Sequence, residues 1–324
     1  MTAIIILNWN GADDTIECVD SLLKVEEDYF CVIADNRSTD DSVERIERHL
    51  SLRHTAYRTM NRQSDRPKKI DKREFIILKN GTNMGFAKGN NEAIRFISDL
   101  KPDRFLLLNN DTIVTTDFLS QLLAFAHTNP DYKVLTPLIF YCHDKEKIWN
   151  AGGRLFYGYR KYYYNGQKAT NIVERGHIDS TFVTGCAMLF TPDLLRTDGG
   201  IFTEDFFFGE EDFNLCIRMK REKVKMACVL DSIIYHKVNS STKHVKIGKY
   251  YIHYLNRFID IKKSYGLLFY TLWSMPSTLH AIILLLRHKY NLAQSIKTMT
   301  DVNINAWSKD QVSQQDFLQA IQNR

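Results

Sequence analysis

Short apolar runs alternate with stretches of helical periodicity through the first half of the chain. Ile4–Leu7, Phe30–Ala34, Phe75–Leu78 and Phe105–Leu108 are apolar segments closed by polar, turn-forming residues, the pattern of buried strands. Between them, Asp13–Leu23 places Ile16, Val19, Leu22 and Leu23 on one face, and a second helix is expected from about Asp41 to Leu50. A third runs over Phe86–Leu100 with Ile94, Ile97 and Leu100 turned inward. This alternation predicts an α/β fold with a mainly parallel sheet flanked by helices. Residues 51–74 interrupt it. They carry Arg53, Arg58, Arg62, Arg66, Lys68, Lys69, Lys72 and Arg73 against Asp65 and Asp71, and read as a basic, mobile surface insertion.

The second half predicts a helix near Phe118–His127 and an apolar strand over Val134–Phe140. A Tyr- and Gly-rich hairpin or exposed binding wall is expected at Arg154–Tyr164, and a strand at Thr181–Phe190. A helix over Glu211–Arg221 precedes late strands at Val224–Leu230 and Ile233–Tyr235. The character then changes. Gly266–Leu286 is about as long as the ~20 residues a bilayer span needs. Pro276, His280 and several hydroxyls interrupt it, Lys262 and Lys263 precede it, and Arg287, His288 and Lys289 follow. Cationic flanks with Tyr and Trp among the apolar residues predict an interfacial helix pair at a membrane surface; a helical hairpin packed on the domain is the alternative.

Composition narrows the class. Hydrophobic residues make up 44% and charged residues 25% of 324, which fits a globular protein, and the net charge of +5 makes no demand for nucleic acid as a partner. The six cysteines (Cys18, Cys31, Cys142, Cys186, Cys216, Cys228) form no CxxC pair and fall in apolar patterns, as free thiols of a reducing compartment do. The opening residues lack the features of a signal peptide, so a cytoplasmic protein is expected.

Four polar motifs follow successive strands: Asn8-Trp9-Asn10-Gly11, Asp35-Asn36-Arg37-Ser38-Thr39-Asp40, Asn83-Met84-Gly85-Phe86-Ala87-Lys88-Gly89-Asn90-Asn91, and Asn109-Asn110-Asp111. Each alone is explained by capping of a strand-to-helix turn. Together, at the carboxyl ends of parallel strands, they converge on one crevice suited to a nucleotide. Gly85 and Gly89 would let a ligand approach the backbone closely. Asp111 stands where a cation bridging two phosphates needs a carboxylate.

The ordered set of motifs over roughly residues 1–260 resembles the family 2 inverting glycosyltransferases of the GT-A fold, most of all their rhamnosyltransferase-like branch. The resemblance implies a GT-A catalytic domain over 1–245, with a nucleotide-sugar-binding half at 1–112, an acceptor half at 113–245, and a membrane-associating helical region at 246–324. Asn8, Trp9, Asn10, Asp35 and Asn36 are implied around the base and ribose, with Asp35 reading a pyrimidine and Trp9 stacking on it. Asn83 and Lys88 are implied near ribose and phosphate. Asn109-Asn110-Asp111 corresponds to the family's DxD motif, with Asn109 in place of the first acid. Asn109 and Asn110 then bind sugar or ribose hydroxyls, and Asp111 contacts Mg²⁺ or Mn²⁺. His236 matches a metal or diphosphate ligand, and the Glu211-Asp212 pair supplies the general base, Asp212 first and Glu211 second. Thr184-Gly185-Cys186-Ala187 resembles the segment beneath the acceptor, with Cys186 a packing residue.

The implied reaction moves rhamnose or a hexose from dTDP-rhamnose or a UDP-sugar to a glycan or lipid-linked glycan acceptor at the inner face of the cell membrane. A nucleotidyltransferase would instead place a Gly-rich basic loop directly after the first strand, where Asn8-Trp9-Asn10-Gly11 stands. A non-catalytic sugar-nucleotide sensor has no use for Glu211-Asp212 and His236.

Overall fold

The computed structural model describes residues 1–238 and 246–323. The polar loop expected after His236 falls partly outside them, at Asn239, Ser240 and Ser241. The first half runs β1 (Thr2–Asn8), α1 (Ala12–Leu22), β2 (Tyr29–Asp35), α2 (Ser42–Leu52), β3 (Tyr57–Asn61), β4 (Phe75–Lys79), α3 (Gly85–Ile97) and β5 (Arg104–Leu108). There follow β6 (Thr112–Val114), α4 (Phe118–Thr128), β7 (Tyr132–Tyr141), β8 (Ile148–Asn150), β9 (Gly153–Phe156), β10 (Tyr159–Tyr162), β11 (His177–Ser180) and β12 (Ala187–Phe190). The chain ends with α5 (Glu211–Arg221), β13 (Lys225–His236), α6 (Ile247–Arg287), α7 (Leu292–Ser308) and α8 (Gln314–Asn323).

The fold is α/β, with one central sheet in the order β11-β13-β7-β12-β5-β1-β2-β4-β3. Strands β5, β1, β2, β4 and β3 are parallel, and β12 runs antiparallel between β5 and β7. Ile4, Ile6, Cys31, Ile33 and Ile77 bury one face against α1, α2 and α4, while Ala3, Ile5, Val32, Ile76 and Leu78 bury the other. Strands buried on both faces read as continuous apolar runs, which is why they were legible.

Three expectations are corrected. The basic stretch 51–74 contains β3, which extends the sheet edge parallel to β4. Arg58 pairs with Glu74 and Arg62 with Glu92, so this stretch is tied to the sheet and to α3. The two late strands are one, β13, with an irregularity between Val229 and Ile233. The strand expected from Thr181 begins at Ala187, because Thr181–Cys186 runs as a loop against the cavity described below. The hairpin expected around 154–164 is present as antiparallel β9 and β10.

Gly85 and Gly89 also differ from expectation: what approaches them closely is protein. A Cβ on Gly85 would lie 1.8 Å from the Phe207 carbonyl oxygen, and one on Gly89 2.8 Å from Leu7. The Phe86 N–H donates to the same carbonyl at 3.2 Å. Further along α3, the Asn91 side chain accepts from the Ile201 and Phe202 N–H groups and donates to the Phe202 carbonyl. The third motif is therefore a joint that fixes the loop before α5 against the parallel sheet.

Gly85 (φ +76°) and Gly166 (φ +75°) share a left-handed backbone, but a Cβ on Gly166 meets nothing within 4 Å. Gly166→Ala is expected to cost only the backbone term, about 1 kcal/mol. Gly85→Ala adds a backbone clash and should cost at least about 3 kcal/mol. Equal denaturation midpoints for the two variants would show that the joint gives way easily.

Candidate active site

The register places the motif ends side by side: Asn8 lies opposite Asp35, and Asp35 opposite Lys79. Asp35 is buried and accepts from Asn8 Nδ2 at 2.9 Å, from the Ser38 N–H at 3.0 Å and from the Ser38 hydroxyl. Asn10 locks the first two loops by accepting from the Thr39 N–H at 2.8 Å. Trp9 projects beside them, 56% exposed.

Some residues expected to touch the nucleotide are struts instead. Asn8 is fully buried, with its amide nitrogen on Asp35 and Ser38 and its oxygen taken by the Thr15 hydroxyl. Asn36 is buried between Asn83, the Gly85 carbonyl and the Met84 N–H. Asn110 ties the end of β5 to α1 by donating to Thr15 Oγ1 at 3.1 Å. These amides shape the crevice from behind. Asn83 caps the start of α3, accepting from the Gly85 N–H at 3.0 Å. Lys88 extends from α3 with its ammonium 3.9 Å from Glu204.

Asp111 and His236 meet although 125 positions separate them. Strand β13 pairs with β6 so that His236 faces Thr112, and the Lys237 N–H donates to the Asp111 carbonyl. His236 Nε2 lies 3.1 Å from Asp111 Oδ1. Burial works against charge on this imidazole, but the neighbouring Cys186 thiol and the Asp111 carboxylate outweigh it and push it up to about 10. No cluster of three or more potential His, Cys, Asp or Glu ligands occurs among the described residues. The Asp111 carboxylate and the His236 imidazole, the latter once an incoming cation has displaced its proton, fit Mg²⁺ or Mn²⁺, which take few protein ligands when a diphosphate shares the site.

Beyond Asn109 opens a cavity of about 400 Å³ lined by Arg160, Thr184-Gly185-Cys186, Phe208 and Glu210-Glu211-Asp212. Phe86 of α3, Lys249, Ile252 and His253 of α6, and Phe317 and Ile321 of α8 also line it. The two members of the acidic pair differ. Glu211 folds back to accept the Gly209 N–H at 2.6 Å, which ties it to the turn before α5. Asp212 keeps 20% of its side chain exposed and lies 3.5 Å from Arg160 Nη1. Burial raises the Asp212 carboxyl above its usual range, Arg160 draws it back, and Glu210 adds to the rise. Burial likewise pushes Glu211 up to about 8, against the hydrogen bond from Gly209.

Composition and motif reading passed over Glu210, Arg160, Arg257 and His253. Glu210 is buried in a left-handed conformation (φ 70°) just before α5. It pairs with Arg257, with Arg160 at 3.2 Å and with His253 at 2.9 Å. Three consecutive acids at a helix start carried a signal, since carboxylates so close together repel one another and call for cations beyond the helix dipole. Cys186 is buried, as a packing role requires, and the six cysteines are free thiols.

Residues 2–249 match the family model described as glycosyltransferase like family 2. The chain belongs to this family. It is 23% identical over 193 residues to the low-salt glycan biosynthesis hexosyltransferase Agl10 of Haloferax volcanii, a stretch covering 57% of this chain and 60% of that relative. Among solved structures it is similar to the mannosyltransferase PcManGT from Pyrobaculum calidifontis in complex with GDP-Man and Mn²⁺, with a TM-score of 0.54, 13% identity, and 95% of this chain and 86% of that one covered. It is also similar to GalNAc-T7 with UDP, GalNAc and Mn²⁺, with a TM-score of 0.58, 12% identity, and 94% and 54% covered. These likenesses establish the GT-A fold of this family 2 glycosyltransferase.

Glu211 yields a test of the site's electrostatics. In the unfolded chain its carboxyl releases a proton near 4.5, while in the folded protein it holds it to about 8. The unfolded state therefore binds fewer protons across that window, and stability falls as pH rises through it. The expected slope is on the order of 1 kcal/mol per pH unit, and Glu211→Gln should remove it. Identical slopes for the two proteins in denaturant titrations between these pH values would place the charge elsewhere.

Proposed function

We propose that this protein is an inverting glycosyltransferase. It moves rhamnose or a hexose from a pyrimidine nucleotide-sugar, dTDP-rhamnose or a UDP-sugar, to a hydroxyl of a glycan or lipid-linked glycan at the inner membrane face. The observation that carries this reading is Asp212, which lines one cavity together with Asn109, two positions from Asp111. Trp9 and the remaining acceptor capacity of Asp35 suit a stacked pyrimidine. Asn109 faces the sugar, and Asn83 and Lys88 lie toward ribose and phosphate.

In the proposed step the acceptor oxygen attacks the anomeric carbon from the face opposite the diphosphate. The new C–O bond forms as the bond to the diphosphate oxygen breaks, and the hydroxyl proton passes to a carboxylate oxygen of Asp212. Asp111 and His236 would hold Mg²⁺ or Mn²⁺, which neutralises charge on the leaving diphosphate when bound. The raised carboxyl of Asp212 brings a general base closer to neutral pH than an ordinary aspartate. A binding protein would gain nothing from a buried carboxylate shifted in that direction.

The C-terminal helices support attachment to the membrane surface. Helix α6 is the one described helix long and apolar enough to cross a membrane, and it breaks at Gly266 (φ +82°). Past the break, Tyr270, Trp273, Ala281 and Leu285 turn inward, while Leu268, Leu272, Met275, Leu279 and Ile283 form an exposed stripe. Ile296, Ile304 and Trp307 of α7 are exposed as well. The helices are thus packed on the domain and yet retain an apolar outer face, which suits the interface of a bilayer. One expectation changes: Lys262 binds the Trp307 and Lys309 carbonyls and Lys263 pairs with Asp205, which leaves Arg287 and Lys289 as the flanking cations for headgroups.

Asp212→Asn is expected to keep donor affinity and lose ~10²–10⁴-fold in transfer. Wild-type transfer by this variant would overturn the base assignment. Asp111→Ala should lose the stabilisation by Mn²⁺ plus UDP in thermal shift and most of its turnover; full activity in EDTA would remove the metal from the reading. Leu272→Glu with Met275→Glu changes only exposed positions and should reduce co-sedimentation with anionic vesicles several-fold, and unchanged co-sedimentation would take the membrane out of it.

A further inference from the structure

The candidate base has a cation of its own. Arg160 stands on β10 opposite Leu155, its guanidinium 5.9 Å from the ring centre of Tyr162 and 5.5 Å from that of Phe182. Its Nη1 lies 3.2 Å from Glu210 Oε1 and 3.5 Å from Asp212 Oδ1, so one nitrogen bridges two carboxylates. Glu210 in turn is gripped by Arg257 and His253 from α6. The Arg257 guanidinium is itself fixed, 3.8 Å from the ring centre of Phe213 and donating to the Gly158 carbonyl at 3.1 Å.

We propose that Arg160 is a positioning residue, which aims the Asp212 carboxylate into the cavity and keeps it ionised, with Glu210 as the post that holds the guanidinium in place. This rests on Asp212 being the general base. The groups facing Asp212 leave Arg160 that task. Tyr162 flanks it from β10, Glu210 and Glu211 precede it, Cys216 lies one turn along α5, and Cys186 faces it from the loop before β12. All of these are neutral or anionic. On α6, the Arg257 guanidinium and the His253 ring are directed at Glu210, and Lys249, which lines the same cavity, makes no ion pair with Asp212. Among the described residues, Arg160 is the cation with a nitrogen within 4 Å of Asp212.

The arrangement explains why Glu210 is a buried acid. A lone Arg160 would collapse into a tight pair with Asp212, holding its oxygens away from the acceptor and weakening it as a base. Shared with Glu210, the guanidinium sits at the edge of hydrogen-bond range from Asp212, near enough to hold its charge and far enough to leave an oxygen for the substrate.

The test is the acidic limb of the pH–rate profile for transfer, with thermal unfolding to confirm that each variant folds. In Arg160→Gln the limb should move up by about one pH unit, so that turnover falls at least about ten-fold below it and recovers in part above it. Arg160→Lys keeps the charge, and its limb should stay with the wild type while turnover drops. Glu210→Gln removes the competing carboxylate, and its limb should move down. Donor affinity, read by thermal shift with UDP and Mn²⁺, should hold in all three. A limb that does not move in a folded Arg160→Gln or Glu210→Gln variant overturns the proposal, as does an equal shift in Arg160→Lys and Arg160→Gln. Asp212→Asn separates the two readings: if it transfers normally, the base assignment has failed; if it is dead while the limb stays fixed, only the role of Arg160 has.

Discussion

The buried carboxylate of Glu210 is the constraint on which the acceptor side of this molecule depends. A desolvated charge without partners costs several kcal/mol, and removing one partner from a buried pair costs ~3–5 kcal/mol. Its partners come from the β10 hairpin strand and from α6, elements about 50 residues away on either side of it. The charge can be accommodated only when both have docked. Asn256 reinforces the same joint by donating to the Phe208 and Gly209 carbonyls, each at 2.9 Å. The start of α5, and with it Asp212, is therefore held by long-range packing, with little contribution from its own local sequence.

A second joint governs the donor side. The Asn83–Asn91 motif has the amide-rich look of a nucleotide loop, but its Gly85 and last asparagine grip the 200–207 segment. The strand-end crevice and the cavity at Asp212 are thereby set at a fixed spacing, which the proposed single displacement would need more than any extra ligand contact. Attack on an anomeric carbon tolerates little error in distance or angle.

These joints also explain what the sequence made legible. Parallel strands buried on both faces announce themselves as apolar runs, and the helix over Glu211–Arg221 appears where its periodicity places it. Asp111 and His236, singled out from motif order, do come into contact. What periodicity could not convey is which polar side chains turn inward. Asn8 and Asn36 are amides at loop entrances, with nothing local to distinguish a strut from a ligand contact. Arg58 and Arg62 read as part of a solvated basic stretch because their carboxylate partners, Glu74 and Glu92, lie 16 and 30 positions further on. Lys262 and Lys263 read as membrane flanks because the carbonyls they bind belong to a turn over 40 residues away.

The same distinction bears on how the two ends of the reaction are encoded. The proposed donor crevice is built from motifs within the 2–249 match to the family. The cavity that Asp212 lines is bounded also by Ile252, His253, Phe317 and Ile321, all beyond that match. These residues sit on helices whose other faces carry the exposed apolar stripe or pack beside it. A change in α6 or α8 can thus alter the acceptor wall without touching the donor motifs, whereas a change at Gly85 disturbs both. On the proposed reading, the choice of acceptor and the attachment to a surface would both be written into one helical region. The buried Arg257–Glu210 pair is what makes that region part of the active site rather than an appendage to it.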